Sequence, residues 1–225
     1  MFEIKFSQIV RDSFPDLKIL QIEADVTNSD TTDELWQDLM KASDNLKLNY
    51  ALSELNKRDA IASTRKAYKL LGKDPNRYRP SAEALGRRII TGKGIYRLST
   101  LIDIINLISI TTGYSIGGFD ASKISGNTLT LDAGTSEDIF NAIGRGPLNI
   151  EGLPVFRDAK GGIGTPTSDE ERTKISPHTT NLLMLVNVYG EEMSIRETEE
   201  KIKELLIKYA DLGNYESKII TTTHS

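Results

Sequence analysis

The sequence predicts an α+β protein built as one mixed domain. Strand-like alternation and helical apolar stripes follow one another in irregular order, with no repeat, low-complexity tract or linker between them. A strongly apolar stretch at mid-chain also requires burial by neighbours on nearly every side. With 225 residues, 38% of them apolar, the chain can form a real core. The expected domain takes in residues 1–225.

Near the start, Phe2, Ile4 and Phe6 alternate with polar residues, and 20–26 alternates cleanly, the period of half-buried strands. Ser29-Asp30-Thr31-Thr32 offers N-caps for a helix carrying Leu35, Trp36, Leu39 and Met40, in which Trp36 reads as core rather than as a base-stacking platform. A further helical region covers about 49–71 and ends at Gly72-Lys73-Asp74-Pro75. Pro80 disfavours helix before it, and Ser81 can cap a helix through Ala82 to Ile90. Gly92-Lys93-Gly94 breaks that helix, and the Ser99 hydroxyl can cap the next.

The second half reads mostly as strands. Residues 127–131 alternate, 153–158 form a short strand ending at the turn Gly161-Gly162, and 180–189, continuously apolar over 182–186, is a central buried strand. Between these, Ser136-Glu137-Asp138-Ile139-Phe140 opens a short helix with acids near its N-terminus. The last helix, about 194–212, has a capping box of Ser194 and Glu197 and an apolar stripe of Ile195, Ile202, Leu205, Leu206 and Tyr209. Gly213 sits at its expected stop.

The central stretch is 99–109, where six of eleven residues are Leu or Ile. Asp103, Asn106 and Ser109 step by three and form one narrow polar stripe on that helix. A buried carboxylate and amide are costly unless hydrogen-bonded, so the stripe either pins other backbone or faces a ligand cavity.

Charge is uneven. Residues 65–97 hold ten basic and two acidic residues, a net +8 within a chain of net charge -4. Such a segment is either a phosphate-facing surface or a solvated face paired with the acidic remainder. Tyr78, between Arg77 and Arg79, either stacks a base or packs under the adjacent helix. There is no cysteine, which excludes disulfides and thiolate chemistry. The first residues mix acid and base where a signal peptide needs an apolar run, and no stretch reaches membrane-spanning length; the expectation is a cytoplasmic protein with no membrane partner. His178 and His224 are the only histidines, too few for a metal cluster or a Ser-His-Asp arrangement, and neither metal nor cofactor is expected. No Walker-type phosphate loop is present, and Gly161-Gly162-Ile163-Gly164 reads as a plain turn.

Pro80-Ser81, Arg87-Arg88, Asp103-Ile104-Ile105-Asn106 and Phe119-Asp120 occur in an order and spacing that resemble the editing and tRNA-binding module of the phenylalanyl-tRNA synthetase beta chain, a module that also occurs free-standing. The similarity extends more weakly through Phe14-Pro15-Asp16-Leu17, Asp158-Ala159-Lys160-Gly161 and Thr179-Thr180, with a motif core of about 79–190. The resemblance implies strands in two layers packed with a helical layer. It implies a pocket walled by Asp103 and Asn106 near Gly117, Gly118 and Phe119, holding an amino acid whose ester to tRNA is hydrolysed by a positioned water. Where the family carries Thr before the Asn and His two residues before the Phe, this chain has Ile105 and Gly117; Glu170 or Glu171 is the counterpart of a late pocket Glu.

Taken alone, Gly117 and Gly118 form either a tight turn or a close backbone approach to a ligand, and Asp120 reads as a cap on Ala121-Ser122-Lys123. The first functional expectation is a domain that recognises charged tRNA, or hydrolyses mischarged aminoacyl-tRNA, with Arg77, Arg79, Arg87 and Arg88 on phosphates. The alternative is a pocket protein for a free amino acid or related small molecule, without an RNA role or catalysis, a reading that Ile105 and Gly117 favour. A third is an interaction module of a larger assembly.

Overall fold

A computed structural model describes residues 1–223; His224, expected in a frayed tail, lies outside the described residues. In chain order the strands are β1 (Glu3–Phe6), β2 (Lys18–Asp25), β3 (Ile116–Asp120), β4 (Thr128–Ala133), β5 (Asn141–Ala142), β6 (Gly146–Pro147), β7 (Pro154–Asp158), β8 (Gly161–Gly164), β9 (Asn181–Val188) and β10 (Tyr215–Thr221). The helices are α1 (Gln8–Ser13), α2 (Asp33–Asn49), α3 (Asp59–Leu70), α4 (Ser81–Ile90), α5 (Thr100–Thr112) and α6 (Ile195–Tyr209).

Three layers result. One sheet runs β1-β4-β7-β8, a second runs β10-β2-β9-β3, and β5 and β6 form a small ribbon. The second sheet lies in the middle, because its strands alternate between two apolar faces. Leu20, Ile22 and Ala24 of β2, with Leu182, Met184 and Val186 of β9, pack under the helices; Ile19, Leu183 and Leu185 pack against Ile4, Phe6, Leu129 and Leu131 of the first sheet. The expected α+β fold, two strand layers against a helical layer, is the one observed.

Coverage on both faces corrects the reading of 20–26 as half-buried. Gln21, on the second face, is fully buried and donates from Nε2 to the Phe2 carbonyl at 3.0 Å and to Glu23 at 2.7 Å. The central strand β9 pairs antiparallel with both β2 and β3, placing Met184 opposite Ile22 on one side and Gly118 on the other.

Helix α5 is buried as its composition requires. Leu101, Ile104, Leu107, Ile108 and Ile110 are all in the core, each contributing about 1.5–3 kcal/mol if wholly withdrawn from water. Its N-cap residue is Ser99, yet the Ser99 hydroxyl makes no cap bond; Asn28 Oδ1 accepts from Leu101 N at 3.1 Å instead. Gly113, at φ 76°, ends the helix in the left-handed region that glycine enters without strain.

Other expectations are corrected locally. The region 49–71 is not one helix: α2 stops at Asn49, a 3-10 turn spans Leu55–Lys57, and α3 starts at Asp59. Residues 136–140 form no helix, because Asp138 folds back onto Thr135 N at 2.6 Å and pairs with Arg157 of β7. Residues 161–164 are strand β8, hairpinned to β7, rather than a plain turn. The capping box on α6 is present, but the residue turning the chain beyond it is Asp211 at φ 45°, not Gly213. Helix α1 and strand β10 gave no sequence signal. Among the described residues no helix is long and apolar enough to cross a membrane.

Candidate functional site

The site begins at the start of α4. Pro80, with ψ 142°, holds the N-cap position, and Ser81 is the first helical residue rather than a side-chain cap. Its amide donates to the Pro166 carbonyl at 2.7 Å, tying the helix to the 165–168 turn. One turn on, Glu83 is fully buried and gathers the basic residues: Arg65 lies 2.7 Å away, Arg87 2.8 Å and Arg79 4.0 Å. A buried carboxylate needs such partners, and here they orient three guanidinium groups around one point.

Beside α4 a cleft of about 340 Å³ is lined by Arg77, Arg79, Arg87, Arg88, Lys93 and Arg145, with Leu52, Ala84 and Thr91. The four arginines singled out in the sequence thus meet in one cleft, whose described lining includes no acid. Lys93 lay within the basic segment without standing out. Arg145, an isolated cation in Gly144-Arg145-Gly146, reaches the cleft only because the β5–β6 turn folds over it.

A second cavity of about 390 Å³ adjoins the first, with Ala84, Arg88 and Arg145 in both linings. Leu85, Leu98, Ile102, Ile105, Ile116, Ile143 and Ile175 make its walls apolar, and Asn106, Ser109, Thr167, Asp169 and Lys174 supply polar groups. This mixture fits a small molecule with an apolar body and a few fixed polar atoms.

Asp169 is the only carboxylate in that lining. It follows a tight turn in which Thr165 Oγ1 accepts from Thr167 N at 3.2 Å and Ser168 N at 3.1 Å. Asp169 Oδ2 accepts from Gly118 N at 3.2 Å, on the edge of β3 away from β9, where Phe119 also bridges Lys174. Glycines make room for it: a Cβ at Gly164 would stand 2.6 Å from Asp169 Oδ1 and 2.6 Å from the Phe119 ring. At Gly117 it would stand 2.7 Å from that ring. Burial pushes the Asp169 carboxyl up to about 7, against the lowering effect of the Gly118 amide.

The predicted pocket residues divide. Asn106 and Gly118 line the cavity, Gly118 in strand β3 rather than in a turn. Asp103 does not: it is fully buried and pins backbone, accepting from Leu98 N at 3.0 Å and from the Thr31 hydroxyl at 2.6 Å. Burial raises its carboxyl above the usual range. Phe119 also leaves the expected wall, because strand alternation turns it into the core between the sheets, with Gly117 stacked on its ring.

Glu170 caps the 3-10 turn Glu171–Thr173 by accepting from Arg172 N at 2.7 Å, and Glu171 pairs with Lys174. The pocket carboxylate is therefore their neighbour Asp169. Asp120 caps its turn as expected, accepting from Ser122 N at 3.1 Å and Thr179 Oγ1 at 2.8 Å. Tyr78 packs on a core cluster with Lys73 Nζ 3.9 Å from its ring centroid, so it is no open platform.

The B3/4 domain family matches residues 63–207, which take in both cavities except Leu52. Among solved structures the chain is similar to an N-terminal fragment of the phenylalanyl-tRNA synthetase beta-subunit from Pyrococcus horikoshii, at a TM-score of 0.46 and 12% identity. That similarity covers 96% of this chain and 50% of the other, so the chain spans about half the length of the fragment. No curated protein matches.

Proposed function

The chain belongs to the B3/4 domain family, and from that premise we propose that its two cavities take the end of a charged tRNA. The amino acid enters the apolar cavity and the neighbouring phosphates lie in the basic cleft. The observation that carries this reading is the shared wall: Ala84, Arg88 and Arg145 border both spaces. A ligand with an apolar body joined to a polyanion would occupy both at once.

The proposed reaction is hydrolysis of the aminoacyl ester. Water attacks the ester carbonyl, the acyl–oxygen bond breaks, and the ribose hydroxyl leaves with a proton. Asp169 takes the proton from the attacking water; a base with a pKa of about 7 is suited to neutral pH. The Asn106 amide and the Ser109 hydroxyl, on one face of α5, are two of the lining donors that can hold the carbonyl. Orientation supplies much of the remaining rate.

Deacylation of a panel of mischarged tRNAs, beginning with tyrosine on phenylalanine tRNA, tests the reading. The expected result is hydrolysis of at least one species, reduced roughly 100-fold or more in Asp169→Asn and reduced in Asn106→Ala. Absence of hydrolysis from folded protein, beside an active synthetase control, overturns the catalytic part.

A second reading rests on the cavity's apolar walls, above all Ile105 closing against Gly118. It makes the chain a binder of a free apolar amino acid. A thermal-shift screen separates it, since a ligand at about 100 times its dissociation constant adds roughly 2.7 kcal/mol of stability without any RNA.

A further inference from the structure

Residues 91–98 border both cavities without forming a helix or strand. Lys93 lines the basic cleft and Leu98 the apolar cavity. Gly92 and Gly94, at φ 75° and 64°, turn the segment, and the Gly94 carbonyl accepts from Arg88 Nε at 3.3 Å. At its far end Leu98 N is held by buried Asp103.

Between these anchors stands Tyr96. It is 68% exposed and is the only aromatic among the exposed large hydrophobic residues described. The Arg88 guanidinium carbon lies 5.0 Å from its ring centroid. Arg88 in turn is one of the three residues common to both cavities. A bare aromatic ring is costly to present to water, and here it lies beside the cation where the two spaces join.

We propose that Tyr96 and Arg88 form a stacking platform for an unpaired nucleobase at the 3′ end of the bound RNA. The inference rests on the reading under Proposed function and adds the group that meets the terminal base. An aromatic ring beside a guanidinium plane offers a base two π surfaces, and Arg88, which borders both the cleft and the cavity, sets the pair where the terminal nucleoside would lie, between the phosphates and the aminoacyl group. Stacking reads no base edge, so tolerance of sequence at the last position is expected.

The test is fluorescence anisotropy with a labelled single-stranded RNA tetramer and the same tetramer lacking its 3′-terminal base. Tyr96→Ala should weaken binding of the intact tetramer roughly 5- to 150-fold, the range expected for one stacked base, and Tyr96→Phe should retain it. With the base-less RNA, wild type and Tyr96→Ala should bind alike. Salt-dependent binding of the intact tetramer that is indifferent to Tyr96→Ala, or a loss equal for both RNAs, overturns the platform and leaves the wider reading standing. No binding of any RNA by wild type overturns both.

Discussion

Replacing Glu83 with Gln removes the charge on which Arg65, Arg79 and Arg87 converge. Glu83 is fully buried and the Arg65 side chain is only 12% exposed, so the variant leaves Arg65 with little access to water. Loss of one partner from a buried pair costs about 3–5 kcal/mol. Arg65 keeps the Pro75 carbonyl at 3.0 Å and Asn76 Oδ1 at 2.7 Å, and Gln keeps one acceptor oxygen, which places the expectation near the lower end, about 3 kcal/mol. For a chain of this size that corresponds to a fall in melting temperature of roughly 6–12 °C. Urea unfolding followed by circular dichroism measures it, alongside Arg65→Met and the double variant. The double variant should be less destabilised than the sum of the singles, because it no longer strands a charge. A loss below about 1 kcal/mol in Glu83→Gln, with additive singles, would refute the view of Glu83 as the electrostatic anchor of α4.

Three further outcomes are expected. Asp169 has a folded-state pKa raised to about 7, so the native state holds the proton more tightly than the unfolded chain does; its contribution to stability falls as pH rises from about 4 to about 7. Asp169→Asn, which can still accept from Gly118 N, should therefore melt higher than wild type at pH 8, and the gap should narrow towards pH 5; an equal gap at both would show that the carboxyl is unshifted. Gly118→Ala drives a methyl into Ile105 Cδ1 and should cost about 1–3 kcal/mol in thermal denaturation, with partial rescue by Ile105→Val, which deletes that atom. RNA binding should weaken with added salt, and Arg77→Gln should flatten the slope of log K against log salt by roughly 0.7 if Arg77 meets one phosphate of a single strand; an unchanged slope would remove Arg77 from the interface.

The fold was legible wherever a local period reported burial. The 182–186 run, the α6 capping box and the all-round apolarity of α5 each carry their own signal, and the structure places them as expected. Helical spacing also put Asn106 and Ser109 on the cavity side of α5. Asp103 shares that spacing but lies one turn nearer the N-terminus, where Leu98 of the preceding segment and Thr31, 72 residues away in sequence, close over it. Asp169 was invisible for a similar reason. Its elevated pKa comes from burial, in part against β3, whose Gly118 lies 51 residues away in sequence. The glycines of β8 looked like punctuation because composition does not reveal that the Phe119 and Phe140 rings occupy the space where side chains would stand.

Asp169 also bridges the two sheets. Its backbone pairs with Gly164 of the first sheet, and its carboxylate takes an amide from Gly118 of the second. A small slide of one sheet across the other would separate the carboxylate from that amide before any strand came apart. Under the proposed hydrolysis, activity at Asp169 would report on the alignment of the layers, and a substitution at Leu131 or Leu183, absent from both cavity linings but between the sheets, is expected to lower it while leaving the secondary structure intact.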